Sequence, residues 1–171
     1  MTAGAPLDEP SLWYFGYGSN TERSTFLGRR RMRPLEVRIG RLDGFELRFD
    51  LGVGQGERGV ANVAPSRGAH VWGVLWRITP DGAGHLDLTE GVNRGFYRRL
   101  AVEVATPEGS VLPAFTYHSP LGGTGRKPSR RYLGLLLAGA HQHGLPEDWI
   151  ARLRTFELAR DERHPRQERL L

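Results

Sequence analysis

Cysteine is absent from the 171-residue sequence, and no apolar run reaches the roughly 18–20 residues that a membrane-spanning helix needs. Without thiols, the chain cannot form disulfides, thiolate metal sites or a cysteine nucleophile. Residues 1–10 also lack the basic segment followed by an apolar run that marks a secretory signal. We therefore expect a soluble, cytoplasmic protein without membrane contact, whose length suits one domain with a real core.

Three familiar motifs are missing or stand in the wrong context. The six histidines form no H-E-x-x-H pattern, and without cysteine a zinc site has little support. Ser19 does not stand in a G-x-S-x-G elbow. Residues 54–59 match G-x-G-x-x-G, but they run into a predicted strand ending at Pro65, whereas a dinucleotide site requires a helix there. No metal and no other cofactor is therefore expected.

Positive charge exceeds negative charge, with 24 Lys and Arg residues against 19 Asp and Glu residues and a net charge of +5. Nearly all the positive residues are arginine, and much of the excess lies in residues 29–33 and 160–169. This balance favours acidic partners, either nucleic acid or small carboxylates. Because no aromatic residues are interleaved with these arginines, we interpret the clusters as a solvated face and a loose tail. No specific nucleic-acid binding is expected.

Apolar patterning and turn residues predict a protein richer in strands than in helices. Asp43-Gly44 is typical of a hairpin turn between two of the strands. The predicted strands cover residues 13–15, 37–42, 45–50, 59–63, 70–78, 96–105 and 112–118. No long helices alternate with them, so the fold class is α+β, a mostly antiparallel sheet or barrel crossed by short helices.

Short helices are predicted between and after the strands, at 21–28, 83–88, 130–138 and from Pro146 onward. Ser19 or Asn20 can cap the first of these helices, and Ser129 can cap the third. The domain is expected to span residues 13–158. A loose segment, 1–12, precedes it and a charged tail, 159–171, follows it.

The segment from Tyr14 to Asn20 is the first candidate site. It reads Tyr-Phe-Gly-Tyr-Gly-Ser-Asn, with two glycines around a tyrosine where a strand ends and a capped turn begins. Such a loop presents backbone N–H groups at a helix N-terminus, an arrangement that binds anions. Gly18 can adopt a positive φ there and leaves room that a Cβ would fill. A plain tight turn explains the local pattern equally well.

Glu90 is the second candidate. It lies between apolar residues, just before Gly91 and a predicted strand. A carboxylate partly buried at this position would have a raised pKa and could act as a base near neutral pH. A solvated glutamate at a helix end also fits the local pattern.

Taken together, the pieces resemble the γ-glutamylcyclotransferase family, in the family's order and over residues 13–158. Besides the Tyr14–Asn20 segment, the matching pieces are Val71–Trp76, Leu86-Asp87, Glu90–Val92, Tyr97, Pro128-Ser129, Tyr132, Gly139-Ala140 and Gly144–Pro146. Any one of these pieces is weak evidence. The ordered set is specific.

The resemblance implies a small mixed, mostly antiparallel β-barrel with short flanking helices. It implies a homodimeric enzyme of glutathione metabolism that acts on a small γ-glutamyl molecule, forms 5-oxoproline and needs no cofactor. It places the general acid/base at Glu90 and substrate contacts at Tyr132 and Tyr97. It also implies that the loop holds the γ-glutamyl group, through Tyr14, Phe15, Gly16, Tyr17, Gly18, Ser19 and Asn20.

Two alternatives stay open at this point. One is a cyclotransferase of the same fold that acts on γ-glutamyl amines or on a γ-glutamyl-capped biosynthetic intermediate. The other is a non-catalytic module that uses its arginines to bind an acidic ligand. The presence of both Glu90 and the glycine loop argues against the second.

Overall fold

Five strands close into a barrel in the computed structural model, which describes residues 10–160. Their order around the barrel is β1-β3-β2-β4-β5, and a single parallel pairing between β1 and β5 closes an otherwise antiparallel sheet. The strands are β1 Leu12–Gly16, β2 Glu36–Gly52, β3 Gly59–Ile78, β4 Arg98–Ala105 and β5 Val111–His118. The expected α+β barrel is thereby confirmed.

Within the described residues, three α-helices flank the barrel: α1 Pro80–Thr89, α2 Arg130–His143 and α3 Glu147–Arg154. Short 3-10 turns cover Ser19–Thr21 and Val92–Arg94, and a π-helical turn covers Ser24–Arg29. Ser129 caps α2 as predicted, because its side chain accepts the backbone N–H of Tyr132. Within residues 10–160, none of the helices has the length and apolar character needed to cross a membrane.

The hairpin of β2 and β3 is longer than the sequence predicts. Asp43-Gly44 is not a turn, and β3 does not end at Pro65, so both predictions are wrong. Instead Gly44, with a φ of 81°, lies in an irregularity between the pairs Asp43↔His70 and Phe45↔Pro65. A bulge of this kind tolerates a proline because ladder hydrogen bonds are already interrupted there. The chain turns only at residues 53–58, so the glycine-rich motif leads into a strand.

Alternation along β1 divides its side chains between two buried clusters. Phe15 is fully buried in the cluster that fills the barrel and extends beneath α2 and α3. Tyr14 points the other way, into a cluster with Phe26 and Trp76. The strand therefore delivers Tyr14, and the loop that follows it, to one end of the barrel next to α1.

The turn after this loop is capped by Glu22, which corrects the prediction that Ser19 or Asn20 caps it. The Glu22 carboxylate accepts the backbone N–H groups of Ser24 at 3.0 Å and Thr25 at 2.7 Å. Burial opposes ionisation of Glu22, but these and further hydrogen bonds outweigh it and lower its pKa to about 2. Because Glu22 supplies the cap, the Asn20 side chain is left to face a different group.

Candidate active site

A cavity of about 110 Å³ opens where the loop after β1 meets α1, α2 and β3. All five tyrosines of the chain line it, although they come from four separate stretches of sequence. The full lining is Tyr14, Tyr17, Gly18, Ser19, Asn20, Arg30, Val60, Ala61, Glu90, Tyr97, Tyr117 and Tyr132. The structure thus brings together eight of the ten residues that the sequence nominated.

Glu90 lies at the end of α1, where Gly91 takes a left-handed conformation with a φ of 66° and turns the chain away. Its side chain is 10% exposed and accepts a hydrogen bond of 2.7 Å from the Asn20 amide. Burial raises the pKa of Glu90, while Arg30 and Asn20 act in the opposite direction. A carboxyl group in this state can take up and return a proton near neutral pH.

Asn20 links the loop to this carboxylate. Its amide nitrogen donates both to Glu90 and, at 2.9 Å, to the Tyr14 hydroxyl. Its side-chain oxygen accepts from Arg30 Nε at 3.3 Å, and its backbone carbonyl accepts the Trp76 indole N–H at 3.0 Å. Every polar group of the side chain therefore has a partner, which fixes the orientation of the amide toward Glu90.

Tyr97 and Tyr132 are held by the backbone of a single residue. The Ala61 N–H donates to the Tyr132 hydroxyl at 3.0 Å, and the Tyr97 hydroxyl donates to the Ala61 carbonyl at 2.6 Å. Burial raises the pKa of Tyr132 to about 12, although hydrogen bonds from Ala61 and Ser19 oppose the shift. Burial also raises the pKa of Tyr97. Both phenols are neutral at physiological pH; Tyr97 donates its proton to Ala61, whereas Tyr132 can donate its proton to a ligand.

Gly18 has a φ of −102°, so the prediction of a positive φ is wrong. The close packing predicted around Gly18 is present. A Cβ at this position would lie 2.9 Å from the Tyr132 hydroxyl and 3.0 Å from the Ala61 Cβ. The loop therefore needs a glycine here because α2 and β3 leave no space for a side chain.

Phe15 and Gly16, which were also predicted to bind substrate, do not line the cavity. The Phe15 side chain is fully buried in the barrel, and its carbonyl accepts the Thr116 hydroxyl at 2.6 Å. Gly16 is the last residue of β1, and a Cβ there would meet nothing closer than 3.4 Å. Strand alternation explains the position of Phe15, because Tyr14 and Phe15 cannot face the same side.

Arg30, Tyr117 and the Val60-Ala61 edge of β3 line the cavity without having been predicted. Arg30 belongs to the cluster 29–33 that the sequence indicates is solvated, yet its side chain is only 29% exposed and lies 3.7 Å from Glu90. Tyr117 donates to Asp87 at 2.5 Å, and Asp87 in turn accepts from Arg99 at 2.8 Å. Nothing in the local sequence distinguishes Arg30 from its exposed neighbours.

Comparisons with known proteins point the same way as this geometry. Residues 70–153 match the AIG2-like family. The chain is 34% identical to the gamma-glutamylcyclotransferase of Homo sapiens over 158 residues, covering 88% of this chain and 81% of the human protein. The Bos taurus gamma-glutamylcyclotransferase is 33% identical with the same coverage. A solved gamma-glutamyl cyclotransferase structure superposes with a TM-score of 0.77 at 31% identity, covering 86% of this chain and 89% of that one.

Proposed function

Because this chain belongs to the γ-glutamylcyclotransferase family and is an enzyme of that type, we propose that it converts a γ-glutamyl amino acid, or a related γ-glutamyl amide, to 5-oxoproline and a free amine. The observation that best supports the proposal is Glu90, a buried carboxylate with a raised pKa that faces a tyrosine-lined cavity. We further propose that the chain acts on small molecules in the cytoplasm. The homodimer that the family resemblance implies stays a prediction.

The substrate carries its own nucleophile. Its α-ammonium group loses a proton to Glu90, and the resulting amine attacks the γ-carbonyl carbon to form the N–C bond of a five-membered ring. The tetrahedral intermediate then collapses: Glu90 returns its proton to the leaving nitrogen, the original amide C–N bond breaks, and the second proton of the ring nitrogen passes through solvent to the freed amine. Holding the substrate in the folded conformer is the main task of the cavity, since proximity supplies much of the rate.

The oxyanion of the intermediate needs hydrogen-bond donors. The backbone N–H groups of Gly18 and Ser19 are our candidates from the loop; since the Ser19 N–H already donates to the Tyr132 oxygen, we favour the Gly18 N–H and add the Tyr132 hydroxyl. The Tyr132 oxygen already accepts from Ala61 and Ser19, so its own proton is available to donate to a ligand. Its raised pKa keeps that proton in place.

Ser19→Ala separates ring closure from serine hydrolysis. If Ser19 only orients the loop and Tyr132, its loss removes one hydrogen bond, and we expect kcat/KM to fall by about 3- to 10-fold. A nucleophilic serine would instead lose nearly all activity and would form an acyl-enzyme. Steady-state kinetics on the variant make the comparison. A covalent glutamyl adduct on wild-type Ser19, detected by intact-protein mass spectrometry, would contradict the mechanism.

A panel of γ-glutamyl compounds tests the proposed function directly. The panel contains γ-glutamyl dipeptides, glutathione and γ-glutamyl amines, and both 5-oxoproline and the free amine are quantified. We expect equal amounts of the two products from at least one γ-glutamyl dipeptide. Turnover confined to γ-glutamyl amines would favour the sister cyclotransferase, and no turnover of any compound would refute the proposal.

A further inference from the structure

Arg30 is a charged side chain that the mechanism above does not use. Its guanidinium is supported from behind, because Nε donates to the Asn20 side chain and Nη1 donates to the Thr89 carbonyl, both at 3.3 Å. Its Nη2 lies 3.7 Å from Glu90 Oε1, which is too long for a hydrogen bond. Because the guanidinium is planar, these two hydrogen bonds also fix the direction of the Nη2 donors, which stay within reach of a ligand beside Glu90.

The backbone around Arg30 is unusual in two respects. Its N–H closes the π-helical turn by donating to the Thr25 carbonyl at 2.9 Å, and Arg31 is the one non-glycine residue with a positive φ, 55°, among residues 10–160. The Arg30 carbonyl is also bound by His85 of α1 at 2.7 Å. Conformations of this kind are concentrated at functional sites, and here they hold Arg30 over the same helix that carries Glu90.

Charge complementarity indicates what Arg30 would bind. Of the cavity-lining residues in the described part of the chain, only Glu90 and Arg30 carry a charge at neutral pH. The γ-glutamyl group carries an α-ammonium and an α-carboxylate on one carbon atom. Glu90 must contact the ammonium to remove its proton, and Arg30 Nη2, which lies 3.7 Å from Glu90 Oε1, is close enough to reach the carboxylate on the same carbon atom.

We propose that Arg30 binds the substrate's α-carboxylate, so that Arg30 and Glu90 together select a free α-amino acid head group on the γ-glutamyl moiety. This inference rests on the proposed function and deepens it, since it assigns one half of the substrate's specificity to a residue in the arginine cluster. The carboxylate of the leaving amino acid is the competing ligand. It differs from the α-carboxylate in being absent from γ-glutamyl amides of simple amines.

Three substrates distinguish the two carboxylates. They are γ-glutamyl-alanine, γ-glutamyl-alaninamide, which lacks the acceptor carboxylate, and γ-glutamyl-alanine with its α-carboxylate converted to a carboxamide. Release of alanine or alaninamide is measured for the wild type, Arg30→Ala and Arg30→Lys. We expect Arg30→Ala to lower kcat/KM about 10- to 100-fold more on the first two substrates than on the α-carboxamide, the usual worth of a charged hydrogen bond.

Indirect effects of the substitution cancel when the loss of kcat/KM on one substrate is divided by the loss on another. Arg30 also contacts Asn20 and Glu90, so its loss will slow all three substrates and will move the acid limb of the pH profile upward, because Arg30 holds the pKa of Glu90 down. The assays are therefore run well above that limb. Arg30→Lys, which keeps the charge, should recover part of the discrimination. Arg29→Ala removes the same charge from an exposed neighbour and should leave every ratio unchanged.

The outcomes test the role of Arg30 independently of the proposed cyclotransferase activity. Equal losses on all three substrates, or a loss confined to those with an acceptor carboxylate, would overturn the proposal while leaving the cyclotransferase intact. If the wild type releases no amine, the proposed function fails. The role of Arg30 can then still be tested by calorimetry, which compares the affinity for 5-oxoproline with that for 2-pyrrolidinone, a compound without the carboxylate. Wild-type preference for 5-oxoproline that Arg30→Ala abolishes supports the assignment. Equal affinity of the wild type for the two compounds overturns it.

Discussion

Glu90→Gln is expected to lower kcat at least about 100-fold, which is the usual contribution of a general acid/base. Glutamine has nearly the same shape and can still contact the Asn20 side chain, but it can neither accept the proton of the α-ammonium nor return it to the leaving amine. The measurement is steady-state release of 5-oxoproline from a γ-glutamyl dipeptide. Glu103→Gln, at an exposed position on β4, is the matched control and should retain wild-type turnover.

The fold should survive this substitution. Because burial raises the pKa of Glu90 in the folded state, the ionised carboxylate opposes folding at neutral pH, and an uncharged side chain removes that cost. We therefore expect the unfolding temperature of the variant at pH 7 to equal or exceed that of the wild type. In the wild type, kcat/KM should fall as the pH drops through a value above the ordinary 4.5. Near-normal turnover by the variant would remove Glu90 from the mechanism.

Gly18→Val is expected to abolish binding of the γ-glutamyl group and to lower kcat/KM by at least about 100-fold, since displacing a positioned group by about 1 Å has effects of this size. Even the Cβ would lie 2.9 Å from the Tyr132 hydroxyl, and the two methyl groups add further conflict. Either Tyr132 leaves its contact with Ala61 or the loop withdraws from the cavity. Kinetics and binding of 5-oxoproline by calorimetry would show the loss.

Gly16→Ala and Gly18→Ala form a matched pair for this prediction. A Cβ at Gly16 meets only ordinary contacts of 3.4 Å or more, so Gly16→Ala should keep most of the activity. Gly18→Ala places its single methyl against Tyr132 and Ala61 and should be clearly impaired. Equal behaviour of the two variants, or a fully active Gly18→Val, would show that the close approach at Gly18 has no functional role.

The barrel could be predicted because its strands and helix boundaries carry local signals. Ser129 caps α2, and runs of apolar and aromatic residues mark β1, β4 and β5. The long β2–β3 hairpin could not be predicted in the same way, because Gly44 and Pro65 each signal the end of a strand. Pairing with the partner strand on both sides of the irregularity overrides these local preferences, and only the folded sheet shows it.

The functional site could likewise be predicted only in part. The glycine loop, Glu90, Tyr97 and Tyr132 could be predicted through the family resemblance, and the structure places the three side chains and most of the loop around one cavity. Arg30 could not be predicted, because its environment depends on a contact with Glu90, a residue 60 positions away in the sequence, across the π-helical turn and α1. Charge clusters are commonly solvated, and no pattern within residues 29–33 identifies the one arginine that turns inward.

Product analysis in ¹⁸O-labelled water tests the central claim, ring closure by the substrate's own amine, most directly. In ring closure no water attacks the γ-carbonyl carbon. The account therefore predicts one unlabelled 5-oxoproline for each amine released from a γ-glutamyl dipeptide, and no free glutamate. Hydrolysis would place one oxygen from water in the γ-carboxylate of glutamate, and ¹⁸O-labelled glutamate as the primary product would contradict the account.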